Sequence, residues 1–193
     1  MGKGIPITGI LLAGGKSSRM GKDKGLIYAG DKTFTDIILE KMKPAVDALM
    51  IIANNDEYCR FGIPVIKDII PDRGPLGGIY TGLHYSKTEW NMILSCDIPF
   101  VNTELLYFLI QQINEHDVII PVHYRRTEPL CALYRKSCKE KIRMLLEQKK
   151  LKVKDALRQF NVHYLKVSGQ SFYNSKLFDN INTGKELQDF RSL

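Results

Sequence analysis

The residues best suited to chemistry lie in one short segment near the start of the chain. Residues 11–24 read LLAGGKSSRMGKDK. Ala13, Gly14 and Gly15 carry no bulky side chains, so their backbone N–H groups can closely approach the phosphates of a ligand. The cations Arg19, Lys22 and Lys24 follow within ten residues. Because these charges can neutralise a triphosphate, the segment predicts a nucleotide-binding loop.

Two well-known phosphate-binding loops do not fit this segment. A Walker loop needs a glycine five residues before the glycine of its Gly-Lys-Ser, and Ile10 stands at that position. A GxGxxG dinucleotide motif is absent as well. The segment is therefore a different kind of loop.

Two aspartates follow apolar runs further along the chain. Asp97 comes just after the run at residues 91–95, and Asp68 follows Val65–Ile66. We expect both carboxylates at neighbouring strand ends, facing the glycine-rich loop. Oxygen ligands suit a Mg²⁺ ion carried by a nucleotide, so Asp97 is the candidate metal ligand.

The elements that must position these residues alternate along the chain. Apolar runs predict strands at residues 7–12, 48–53, 65–66, 91–95, 117–122, 131–134 and 162–167. Helices are predicted within residues 31–43, 76–85 and 103–114, in a basic region after residue 134, and from Gly184; Asn102 is the expected N-cap of the third. This order predicts a three-layer α/β/α sandwich with a mostly parallel sheet, formed by residues 1–193 as a single domain.

The positive charge of the chain is concentrated in one segment. The formal net charge is +7, and residues 135–158, with ten Lys or Arg against three acidic residues, account for all of it. Such a surface attracts polyanions, although a solvated helix face has the same composition. One alternative function is therefore a nucleic-acid-binding module, but no helix-turn-helix or RNA-binding motif accompanies the charge.

Cysteines and histidines provide no metal or nucleophile motif. The four cysteines show no CxxC pair, and the four histidines form no HxH or HExxH set. Cys96, beside Asp97, is expected to pack in the core. No apolar run reaches the roughly 20 residues that cross a bilayer, so we expect a cytoplasmic protein with no membrane association.

Together, these motifs resemble the MobA-like nucleotidyltransferase family, and within it the molybdenum cofactor guanylyltransferases. The resemblance spans almost the whole chain, through LAGGKSSRMGKDK at 12–24, GPLGGIYTGL at 74–83, LSCDIPF at 94–100, EPLCALY at 128–134 and NINTGKEL at 180–187. It implies a Rossmann-like nucleotidyltransferase fold. The implied reaction transfers GMP from GTP to the phosphate of molybdopterin, with Mg²⁺ as cofactor.

The resemblance also implies roles for individual residues. Those implied to bind GTP are Leu12, Ala13, Gly14, Gly15, Lys24, Asp68 and Asp97. Arg19 and Lys24 would stabilise the phosphates during catalysis, and Asp97 would bind Mg²⁺. Asn180 and Asn182 would lie on the acceptor side. One departure is Gly184, where the family usually has a proline that fixes the start of the helix.

The sequence leaves several alternatives open. A related enzyme of the same fold, using CTP or a different acceptor, would carry the same first motif. Either Asn54 or Asn55 could face the nucleotide, since both follow the second predicted strand. The basic segment is also a candidate docking surface for an acidic molybdoenzyme or cofactor-assembly protein.

Overall fold

A mostly parallel sheet forms the middle layer of the molecule. We analysed a computed structural model, which describes residues 4–14, 23–181 and 184–191. The strands are β1 (Ile7–Leu12), β2 (Tyr28–Ala29), β3 (Lys32–Thr33), β4 (Ala48–Ile52), β5 (Val65–Ile66), β6 (Trp90–Ser95), β7 (Val118–His123), β8 (Arg126–Thr127), β9 (Cys131–Arg135) and β10 (Val162–Lys166). The main sheet has the order β10-β7-β9-β6-β1-β4-β5, with β8 paired to β7. Within it, β8 and β9 run antiparallel to their neighbours.

Helices cover both faces of this sheet. They are α1 (Phe34–Met42), α2 (Gly74–Tyr85), α3 (Thr103–Gln111), α4 (Cys138–Glu147), α5 (Val153–Ala156) and α6 (Gly184–Arg191). One core cluster contains residues of α1 and α3, and a second contains residues of α2, α4 and α5. The predicted three-layer α/β/α sandwich is confirmed.

Alternation along the strands explains why both faces are covered. In β1, Ile7 and Leu11 belong to the first cluster, whereas Ile10 belongs to the second. In β6, Met92 and Ile93 divide in the same way. Successive side chains of a strand point to opposite faces, so an all-apolar strand requires helices on both sides.

Local capping explains where the helices begin. Asn102 Oδ1 accepts a hydrogen bond from Leu105 N at 3.0 Å, so the predicted N-cap of α3 is confirmed. At α1, Thr33 and Asp36 form a reciprocal capping box. The segment before α1, predicted as a turn, contains the small hairpin of β2 and β3, and α2 begins two residues earlier than predicted. The expected single domain remains a prediction.

Among the described residues, no helix is both long and apolar enough to cross a membrane.

Candidate active site

The carboxyl ends of four parallel strands meet at one edge of the sheet, in the order β6, β1, β4 and β5. Backbone hydrogen bonds continue past the strand ends. Ala13 N donates to Ile52 O at 2.9 Å, and Cys96 N donates to Leu12 O at 3.1 Å. The chain therefore leaves β1 between the loops that follow β4 and β6.

One predicted arrangement at this edge is wrong. Asp68 and Asp97 do not follow neighbouring strands, because β1 and β4 lie between β5 and β6. With strands about 4.8 Å apart, three steps separate the two positions by roughly 14 Å. The crossover between β5 and β6 places these two consecutive strands at non-adjacent positions in the sheet. The aspartates thus lie on opposite sides of the segment that follows β1.

The glycine bend begins at the end of β1. Gly14 has a φ of +121°, which L-residues rarely adopt. A Cβ at Gly14 would lie 3.8 Å from Ala53 Cα, so the bend also runs close to the backbone that follows β4. Leu12, Ala13 and Gly14 lie at this bend as predicted. Gly15, Arg19 and Lys22 fall outside the described residues.

Asp97 is held at the centre of the edge. Its Oδ1 accepts a hydrogen bond from the Ser95 hydroxyl at 2.6 Å. Its Oδ2 lies 3.8 Å from Lys24 Nζ, and the two side chains are 26% and 21% exposed. The segment after the glycine bend and the loop after β6 therefore meet, as the sequence predicted.

Cys96 has no nucleophilic character here. Burial, followed by the nearby negative charge of Asp97, raises the pKa of its thiol to about 12. The thiol is therefore protonated near neutral pH, and its expected role in core packing is consistent with this environment.

Lys24 is positioned by two residues to which the sequence analysis assigned no function. Asp23 Oδ1 accepts hydrogen bonds from the Tyr58 hydroxyl at 2.5 Å and from Gly25 N at 3.3 Å. Tyr58 is fully buried, and burial raises its pKa far above the usual range, so the hydroxyl remains a donor. The contact spans 35 residues of sequence, and no local pattern predicts it.

Gly25 leaves room for this arrangement. A Cβ at Gly25 would overlap the Tyr58 hydroxyl and lie 2.8 Å from Thr35 Oγ1. The glycine after Asp-Lys in the motif is therefore needed for packing. It lets the Lys24–Leu26 helical turn lie directly on Tyr58.

Asn54 and Asn55 make different contacts in the structure. Asn54 Nδ2 donates to Asp68 Oδ2 at 3.1 Å, and Asn54 Oδ1 accepts from Asp68 N at 3.0 Å. Asn55 instead caps the helical turn Asp56–Phe61 through Glu57 N at 3.0 Å. Burial raises the pKa of Asp68, and the hydrogen bond from Asn54 opposes that rise. Asn54 and Asp68 thus form a paired polar surface beyond the glycine bend.

Asn180 lies on the other side, next to the loop of Asp97. The following residue, Ile181, donates its N–H to Asp97 O at 3.1 Å, and Asn180 is exposed. Asn182, the second predicted acceptor residue, falls outside the described residues.

Asp97 is the carboxylate at this edge that could bind a magnesium ion. In the described part of the chain, no three His, Cys, Asp or Glu side chains are grouped as metal ligands. Mg²⁺ bound with a nucleotide commonly takes one or two carboxylates plus phosphate oxygens. Asp97 fits this pattern, because it is partly exposed and is oriented by Ser95.

Comparison with known proteins agrees with this geometry. Residues 9–163 match the model of the MobA-like NTP transferase domain. The chain belongs to this family. The match spans the glycine bend, Lys24, Asn54, Asp68 and Asp97, whereas Asn180 lies beyond it.

Relatives within the MobA-like family match over nearly the full length. A probable molybdenum cofactor guanylyltransferase from Flavobacterium johnsoniae is 36% identical over 184 residues, covering 95% of each chain. Another from Bacillus cereus is 38% identical, covering 93% of this chain and 92% of the relative. The crystal structure of molybdopterin-guanine dinucleotide biosynthesis protein A from Archaeoglobus fulgidus superposes with a TM-score of 0.82 at 25% identity, covering 96% of this chain and 97% of that one.

The fold extends beyond guanylyltransferases. A 4-diphosphocytidyl-2C-methyl-D-erythritol synthase from Anaerococcus prevotii superposes with a TM-score of 0.74 at 12% identity, covering 97% and 95% of the two chains. This likeness shows a shared fold alone.

Proposed function

We propose that this chain transfers GMP from GTP to the terminal phosphate of molybdopterin, releasing pyrophosphate and forming a guanine dinucleotide cofactor. The observation that carries the proposal is the contact between Lys24 and Asp97 beside the glycine bend. It supplies a cation and a metal-binding carboxylate where a nucleotide's phosphates would lie. The names of the full-length relatives support the choice of GTP and molybdopterin.

The reaction is a displacement at phosphorus. An oxygen of the acceptor phosphate attacks the α-phosphorus of GTP, a P–O bond forms, and the bond to the β-phosphate oxygen breaks with its electrons leaving on pyrophosphate. The acceptor is already an anion, so no strong general base is required. The difficulty is bringing two anions together, which explains the need for positive charge at the site.

The chain's own residues perform the positioning. Backbone N–H groups of Ala13 and Gly14 approach the nucleotide, and Lys24 neutralises its phosphates. Asn54 and Asp68 hold the nucleoside, and Asn180 contacts the acceptor. Arg19, Gly15 and Asn182 belong to the same proposal. Asp97 would hold Mg²⁺, which when bound supplies further positive charge at the phosphates.

A direct assay tests the function. The purified protein is incubated with Mg²⁺, molybdopterin and one of GTP, CTP, ATP or UTP, with pyrophosphate release and the dinucleotide product measured. We expect product with GTP only, and no product when Mg²⁺ is chelated. Transfer of CMP would instead identify a cytidylyltransferase of the same fold, and an inert mixture would refute the assignment.

We further propose that the basic segment docks an acidic partner that receives the product, a molybdoenzyme or a cofactor-assembly protein. Within α4, Arg143 is already paired with Glu140 and Glu147. By contrast, Lys149, Lys150 and Lys152 line a groove in which Asp155 is the one acidic residue. Charge reversal at these three lysines should impair cofactor delivery to an acidic apo-molybdoenzyme and leave GTP binding unchanged. Unimpaired delivery would end this proposal.

The cytoplasmic location expected from the sequence remains a prediction.

A further inference from the structure

A second polar cluster lies on the same sheet edge, beyond Asp97. His123 ends β7, and its Nε2 lies 2.8 Å from Glu128 Oε1. Because an ionised carboxylate only accepts hydrogen bonds, Nε2 carries the proton. Nδ1 is buried and has no hydrogen-bond partner among the described residues. The ring therefore holds Glu128 through Nε2 alone.

The carboxylate of Glu128 is accessible, although its partner is not. The His123 residue is 8% exposed and packs on the Phe178 ring at 4.6 Å. The Glu128 side chain is 26% exposed. A carboxylate can accept about four hydrogen bonds. The bond from His123 fixes the orientation of the Glu128 carboxylate and leaves its other acceptor sites available to a ligand.

Two connections place the cluster next to Asp97. On one side, Leu130 O accepts from Ser95 N at 2.9 Å, so the loop carrying Glu128 lies against the end of β6. On the other, Phe178 lies three residues before Ile181, whose N–H bonds to Asp97 O. In the sheet order, β7 is two strands from β6, or roughly 10 Å. Asn54 and Asp68 lie on the opposite side of Asp97.

An exposed aromatic ring completes the surface. Tyr124 is 72% exposed and follows His123 directly. Tyr124 and Arg125 both have positive φ, at 41° and 65°, as a tight hairpin turn between β7 and β8 requires. The Tyr173 ring lies 6.2 Å from Tyr124 in an edge-on arrangement. An exposed tyrosine ring that packs edge-on against a second, partly buried ring and lies beside a carboxylate is suited to a flat, hydrogen-bonding heterocycle.

We propose that His123, Tyr124, Glu128 and Tyr173, the acceptor-side cluster, bind the pterin ring of the acceptor. A pterin has a ring N–H adjacent to an amino group, and two such donors match one carboxylate in paired, charge-assisted hydrogen bonds. Glu128 accepts them, His123 orients Glu128, and Tyr124 contacts the ring face. This inference rests on the proposed function for the identity of the acceptor. Guanine offers a similar edge, but the proposed nucleoside site lies across Asp97 from the cluster.

The test separates the two substrates. Glu128→Gln keeps the shape of the side chain but removes the charge and turns an amide donor towards the pterin donors. We expect the KM for molybdopterin to rise about tenfold or more, with kcat and the Kd for GTP changing less than about twofold. Tyr124→Ala should raise the same KM by a smaller factor. Glu147→Gln, an exposed glutamate on α4, is the matched control.

A second measurement works without turnover. Titration of 6-hydroxymethylpterin, followed by its fluorescence, should show saturable binding to the wild-type protein and loss of that binding in Glu128→Gln. An unchanged KM, or weakened GTP binding in its place, overturns the inference while the function stands. If the wild-type protein transfers no GMP, the proposed function is refuted, and the pterin titration then tests the inference by itself. Equal pterin binding by the wild type and Glu128→Gln, or no binding by the wild type, overturns the inference.

Discussion

The two sides of the sheet edge around Asp97 are constructed differently. Towards β4 and β5 all strands are parallel, and the polar residues, Asn54 and Asp68, each follow a strand directly. Towards β7 the antiparallel strand β9 intervenes, and the polar residues lie on a hairpin and an irregular loop. The parallel side has the design common to nucleotide-binding α/β folds. The other side is free to vary with the acceptor.

The two sides constrain their loops to different degrees. Parallel strand ends present their loops in a constant geometry, so a short motif is enough to form a phosphate site. The hairpin and loop side carries no such constraint. We therefore expect substitutions on the two sides to affect different substrates, with Asp97, which lies between them, affecting both.

The largest effect should follow removal of the central carboxylate. Asp97→Ala should lower kcat by about 10²-fold or more, by analogy with loss of a single electrostatic stabiliser. The melting temperature should change little, because the side chain is partly exposed. Glu89→Ala, at an exposed site before β6, is the control. A folded Asp97→Ala protein with undiminished guanylyl transfer would contradict the assignment.

A smaller effect is expected from the cation of the nucleotide side. Lys24→Ala should weaken GTP binding by about tenfold, because a charge-assisted contact to phosphate is lost. The KM for molybdopterin should change less. Titration calorimetry with GTP measures the effect, and Lys32→Ala, which removes an exposed lysine paired with Glu40, is the control. An equal rise in the Kd for GTP and the KM for molybdopterin would show that Lys24 does not act on the nucleotide side alone.

The raised pKa of Asp68 allows the nucleotide side to be tested by changing the pH. This raised pKa means that the folded state binds a proton more tightly than the unfolded chain, so ionisation of Asp68 costs stability as pH rises. Asp68→Asn should therefore melt no lower than the wild type at pH 7, yet bind GTP several-fold more weakly.

The same carboxylate should make GTP binding depend on pH. As pH falls below 7, the wild-type protein should lose affinity for GTP, because protonated Asp68 no longer accepts a hydrogen bond from the nucleoside. Since the pKa of Asp68 is raised, this loss should begin at a higher pH than it would for an aspartate with the usual pKa. Parallel calorimetric titrations of Asp68→Asn correct for the protonation of GTP itself. Identical pH profiles for both proteins would show that Asp68 does not contact the nucleoside.

The smallest effect should come from Tyr58, which acts through Asp23. Tyr58→Phe removes one hydrogen bond to Asp23 and leaves the ring in the core. We expect a two- to fivefold increase in the Kd for GTP, consistent with one modest hydrogen bond, and an unchanged KM for molybdopterin. Combined with Lys24→Ala, the substitution should add little. Additive losses would show that Tyr58 does not act through Lys24.

Local features of the sequence were enough to predict most of the fold and the phosphate side of the site. The strands β1, β4, β5 and β6 are mainly apolar runs, and glycine, asparagine or aspartate stands two residues after each of them, so pattern and turn chemistry agree. The same agreement places Gly14 and Lys24 near Asp97, because parallel strand ends share one edge. The family motif added the assignment of roles.

Only the tertiary structure decided which strands are neighbours and which distant side chains meet. The order of the strands separates Asp68 from Asp97. The tertiary structure also pairs Asn54 with Asp68 and brings Tyr58 to Asp23. The alternation of apolar and polar residues determines which face a side chain occupies, but it carries no information about lateral order in a sheet. That order follows from the packing of all the helices at once, so the acceptor side could not be predicted from the sequence alone.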